Sequence, residues 1–86
     1  MANEILLLKA KLADKKDQMK KLVLKAENYI ISIREALDPY EEEFTDLEID
    51  RALSAMQDFH ILWLQAKQLK EQIKKIEKDL GVTAYG

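Results

Sequence analysis

The sequence predicts an all-α fold: a long antiparallel two-helix coiled-coil hairpin, assembling into a four-helix bundle as a dimer or higher oligomer. Three observations lead there. Pro39 is the only proline and both glycines stand late, at 81 and 86, so breakers leave two long uninterrupted segments in 86 residues. Each segment carries apolar residues at alternating three- and four-residue spacing for more than four heptads. One half of the chain then holds more apolar side chains than a lone hairpin can cover.

The whole of 1–86 reads as a single helical-hairpin domain. Helix 1 is expected over about 2–37. Its positions 5, 8, 12, 15, 19, 22, 26, 29, 33 and 36 form the seam, and only Lys15 departs from Ile, Leu, Met, Ala or Tyr. A capped turn follows over 38–45. Thr45-Asp46-Leu47-Glu48 has the spacing of a capping box, with Thr45 as N-cap and Phe44 and Ile49 as a hydrophobic staple. Asp38-Pro39-Tyr40-Glu41 has the start signals of a short helical turn. Helix 2 is expected over about 46–80, with its seam at 48, 52, 55, 59, 62, 66, 69, 73, 76 and 80, where only Glu48 departs. Gly81 reads as the terminator, leaving 81–86 as a loose tail.

Folding the segments back about residue 42 tests whether the two seams agree. They pair as 5 with 80, 8 with 76, 12 with 73, 15 with 69, 19 with 66, 22 with 62, 26 with 59, 29 with 55 and 33 with 52, with position sums alternating between 85 and 84. Nothing in one helix forces this agreement with the other. The hairpin is therefore antiparallel. Lys15, level with Leu69, reads as a register device that costs some stability.

With Ile5 and Ala52 at heptad position a, the g flank is polar: Lys25 faces Asp58, and Ser32 faces Arg51. The e flank divides. Its open-end half is Lys9, Lys16, Lys70 and Glu77; its turn-proximal half is Val23, Ile30, Leu37, Ile49, Met56 and Trp63. Leu24, Ile31, Leu53, Ile61 and Leu64 add to the same half. At ~1.5–3 kcal/mol each, leaving these side chains wet forgoes on the order of 20 kcal/mol. The six e-flank residues are the expected interface, and a second copy is the simplest cover.

Net charge is −2, which gives no global nucleic-acid footprint. Its distribution says more. Seven lysines against Asp14 and Asp17 lie between Lys9 and Lys25, while Asp38 to Asp50 holds seven acids and no base. Copies laid with turns together crowd like charges; laid head to tail, each acidic turn approaches a lysine-rich stem. Lys9, Lys16 and Lys20 on one flank are the candidate nucleic-acid contacts, although interleaved aromatics for base stacking are missing there. Apolar runs such as Ile5 to Leu8 are far below the ~20 residues of a membrane span, and no signal-peptide pattern opens the chain. Cytoplasm is the expected compartment, with no membrane partner.

Chemistry is sparse. His60 is the only histidine and there is no cysteine, so metal binding would rest almost wholly on carboxylates. Glu41-Glu42-Glu43 lacks the alternating acids and central glycine of a calcium loop. No glycine-rich phosphate loop or nucleophile elbow occurs. His60 reads as an interface histidine. No catalytic, cofactor or metal residues are assigned, and the chain is not expected to be an enzyme. The expected function is a non-enzymatic oligomerisation and protein-interaction module. The alternatives are a small nucleic-acid-binding regulator, or an adaptor or chaperone whose apolar face is covered by a different protein. No family motif is met: Trp63-Leu64-Gln65 lies mid-helix, unlike the turn Trp-x-Gly of the WXG secretion family.

Overall fold

The computed structural model describes residues 2–85, and the side chains of 3–81. Two long helices, α1 (Ala2–Ala36) and α2 (Ile49–Tyr85), pack side by side as an extended hairpin. The chain is a rod of 65 × 16 × 14 Å with a radius of gyration of 19.3 Å. A compact chain of this length would have a radius near ~12 Å. Elongation of that degree leaves a single line of contact along which to bury side chains.

That line is the heptad seam. Every seam position of α1 from Ile5 to Ala36, and of α2 from Ala52 to Leu80, is at least half-buried, while nearly every other position is exposed. Lys15 is half-buried with them, its aliphatic stem covering the stripe. Glu48, the other polar seam residue, is exposed because α2 begins after it. Deep burial is rare: among the described residues only Ala36, Ala52, Ala55, Leu62 and Leu69 are buried, each still 2–8% exposed. Three are alanines at the turn end, where small side chains let the backbones approach.

The antiparallel register is visible in cross-helix neighbours. Arg51 donates to Ser32 Oγ at 3.2 Å, as the g-flank pairing requires. Gln18 and Gln65 line one groove with Leu22 and Leu69. Leu8, Lys11, Gln72 and Ile76 line the next, nearer the open end. The expected Lys25–Asp58 pair is not among the ion pairs of the described residues.

The turn differs from its expectation in detail. α1 ends at Ala36, ahead of Pro39, whose ring disfavours helical backbone at the residue before it. Residues 38–41 form a single turn, closed by the Glu41 amide on the Asp38 carbonyl (3.3 Å) and the Tyr40 amide on Asp38 Oδ1 (2.9 Å). The short helical piece lies later, as a 3₁₀ turn at Phe44–Asp46 with Thr45 inside it. The capping box does not form. The Glu48 amide that Thr45 was to cap donates to the Ala36 carbonyl instead (3.1 Å), and the Glu48 carboxylate takes Arg51 (2.9 Å). One bond thus satisfies an orphan carbonyl of α1 and ties the end of α1 to the start of α2. The staple is absent as well: Phe44 is 77% exposed, and Leu47 is the half-buried residue of the loop.

α2 also runs on through Gly81 to Tyr85, rather than stopping at 80 before a loose tail. Gly81 does not adopt positive φ. Glycine permits the left-handed terminator without demanding it, and Val82-Thr83-Ala84-Tyr85 holds no breaker once the helix is propagating. Gly86 and Met1 lie outside the described residues.

A methyl group at Gly81 would meet nothing within 4 Å. Gly81→Ala is therefore predicted to raise stability by up to ~1 kcal/mol in thermal unfolding, where a left-handed terminator would make it destabilising. Leu62→Ala, in the buried seam, should lower unfolding free energy by ~2–4 kcal/mol in urea titrations.

Candidate functional site

The turn-proximal half carries the site. Ile30 is half-buried; Val23, Leu37, Ile49, Met56 and Trp63 are all between 44% and 48% exposed. Such side chains are neither core nor free surface. In the observed register Val23 lies level with Trp63, Ile30 with Met56, and Leu37 with Ile49, so the six make a continuous band across both helices. Leu24, Ile31, Leu53, Ile61 and Leu64 are exposed around this band. All eleven apolar residues singled out by heptad position thus lie outside the seam, ten of them exposed.

On α2 the band has internal order. Leu53, Met56, His60, Trp63 and Lys67 follow three-four spacing, a second stripe beside the seam. His60 stacks on Trp63 with ring centroids 5.7 Å apart and planes 25° from parallel. Lys67 Nζ stands 4.1 Å from the centre of the Trp63 ring. The indole thus has an imidazole and an ammonium as neighbours, and the cation is drawn to the ring's negative face. His60, expected as an interface residue beside Phe59 and Ile61, takes its main contact one turn further along.

Ionic contacts lie elsewhere. Arg51 bridges Glu48 (2.9 Å) and Glu35 (3.3 Å) across the g flank near the turn. Its hydrogen bond to Glu48, then the charge of that carboxylate and the contacts with Glu35, raise its pKa. Exposed pairs of this kind contribute little energy, and this one serves register. Lys21–Asp17 and Lys74–Glu71 are helix-surface pairs. Lys9, Lys16 and Lys20 are exposed along one side of α1, over ~17 Å of helix.

Four further large side chains are exposed outside this band. Leu6 and Leu7 stand at b and c on the back of the open end, while Tyr40 (89% exposed) and Phe44 project from the acidic turn. Heptad lettering alone would have found the first two; the turn pair depended on loop geometry. Among the described residues no group of three or more His, Cys, Asp or Glu is placed to hold a metal ion. No helix among them is long and apolar enough to cross a membrane.

No protein-family model, curated protein or solved structure matches the chain. Its functional reading rests on its own residues.

Trp63 is the only tryptophan and is 48% exposed in the single hairpin. If this band is covered by a partner, its fluorescence should shift to longer wavelength on dilution. An emission maximum independent of concentration down to nanomolar would count against coverage by a second copy.

Proposed function

We propose that this protein is a non-enzymatic oligomerisation and protein-interaction module, in which two hairpins join through their turn-proximal halves into a four-helix bundle. The carrying observation is surface. The single chain exposes 7067 Å², about 1,800 Å² more than the roughly 5,200 Å² expected of a compact monomer of its mass. A stable interface removes ~800 Å² from each partner, so the excess is ample for one. Ten of the exposed large apolar side chains lie in the turn-proximal half, five of them along its e flank, and a concentration of that kind is the pattern of a covered interface.

Function on this reading is presentation. The bundle core is the a, d and e positions of four helices, and the remaining faces, acidic at the turns and basic at the stems, are held at defined separations for other macromolecules. Net charge is −2, and the stretch of α1 that carries Lys9, Lys16 and Lys20 has no aromatic residue between them for base stacking. A nucleic-acid regulator therefore ranks below self-association, and would show itself by binding that falls steeply with salt.

The seam and the e flank are separate faces, so they should separate by mutation. Wild type is expected to elute with the mass of two or more chains in size exclusion with light scattering. Ile30→Glu with Met56→Glu should shift it to one chain while retaining most of its helical circular dichroism. A wild-type monomer at all concentrations would refute the proposal.

A further inference from the structure

The exposed apolar flank and the charge pattern together restrict how two hairpins can meet. We propose that the second copy docks antiparallel and staggered, with the dyad beside Ile30 and Met56. Each acidic turn then rests on a lysine collar of the other hairpin: Lys16, Lys20, Lys67 and Lys70. This arrangement rests on the self-association reading and gives it a geometry.

Three overlays can be compared. In a parallel overlay the apolar flanks match, but the turns meet. Asp38, Glu41, Glu42, Glu43 and Asp46 are all exposed, and no base lies between Asp38 and Asp50. In a full-length antiparallel overlay the turns separate, but Ile30 and Met56 come against the open-half flank of Lys9, Lys16, Lys70 and Glu77. Burying ionised groups against apolar ones without partners is costly. A dyad at the middle of the apolar flank avoids both. That flank runs from 23 to 37 on α1 and from 49 to 63 on α2, so its midpoints are Ile30 and Met56, which the register sets level. Rotation about that point lays the apolar flank on itself.

The rod's dimensions then say where the turns fall. α2 accounts for ~55 Å at ~1.5 Å per residue, and the rod is 65 Å long. The turn thus projects ~10 Å beyond the helices, and its tip stands ~20 Å from the dyad. Its acids come level with about residues 17–21 of the partner's α1 and 65–69 of its α2, again at ~1.5 Å per residue. Lys16, Lys20, Lys67 and Lys70 bracket those levels and share the apolar flank's side of the hairpin; Asp17 and Glu71 are the acids nearest them, at the outer edge. The landing place also includes a shallow groove lined by Met19, Lys20, Val23 and Leu24. Phe44, 77% exposed, and Tyr40, 89% exposed, are the large side chains the incoming turn brings toward it.

Within one hairpin, collar and turn do not neutralise each other. Lys20 stands ~24 Å from the end of α1, about three screening lengths at physiological salt. Complementarity therefore acts between copies.

The chain has no cysteine, so Glu42→Cys gives a single spin label at each turn tip. Dipolar spectroscopy should read ~40 Å between tips for the staggered dimer, under ~20 Å for a parallel one and ~65 Å for full-length antiparallel overlap. Either of the latter distances in a species of dimer mass overturns this arrangement and leaves self-association standing. A monomer mass by light scattering overturns both. Charge exchange supplies a second readout. A turn-reversed chain (Glu41→Lys, Glu42→Lys, Glu43→Lys) and a collar-reversed chain (Lys16→Glu, Lys20→Glu, Lys67→Glu, Lys70→Glu) should each self-associate at least tenfold more weakly at low salt. Mixed, they should pair with each other. Failure to pair, with wild type dimeric, contradicts the collar.

Discussion

Two helices laid side by side can bury only one stripe of each, and the rest of this structure follows from that limit. The stripe is well specified: the three-four spacing runs unbroken through both helices, and every position on it except Glu48 is withdrawn from water. Yet among the described residues only five side chains are buried, and three of them are alanine. A chain of 10.0 kDa stretched over 65 Å has no interior in the ordinary sense. Stability must come from a line of contacts supported by helix propensity, or from a second surface.

On the proposed reading the second surface is the e flank, and its two halves differ for a physical reason. Lysines at e in the open half can lay their stems on the seam and keep their charges in water, so that half leaves no apolar residue wet at e. Valine, isoleucine, leucine, methionine and tryptophan at e in the turn half have no such option. Small alanines at 36, 52 and 55 fill the seam beneath them, and the larger flank residues stand exposed beside it. The stacked His60, Trp63 and Lys67 mark the border between these regimes, with apolar side chains on one side of the indole and the lysine collar on the other.

How much of this was legible in the sequence varies with the range of the interaction. Heptad spacing is set by helix geometry, so the seam, the antiparallel register and the exposed flank could all be read from residue positions. The Ser32–Arg51 contact confirms the register at a single atom pair. What could not be read were the ends. Thr45 and Glu48 have capping-box spacing, but a capping box competes with whatever else can reach the same amide. Here the Ala36 carbonyl, an orphan from the other helix, takes it. Gly81 was misleading in the opposite way, since glycine licenses a stop that local context did not require. Both differences arise where tertiary or cooperative effects outweigh a local signal.

The central claim is that association stabilises the hairpin, because two copies cover the apolar flank that one leaves wet. Its most direct test is the thermal unfolding midpoint of the wild-type chain, followed by circular dichroism over a hundredfold range of concentration. If two hairpins complete each other's core, the midpoint should fall by several degrees on dilution, because mass action links stability to protomer concentration. A sharp, cooperative transition at the same temperature throughout would show that one hairpin is sufficient, and would contradict the account.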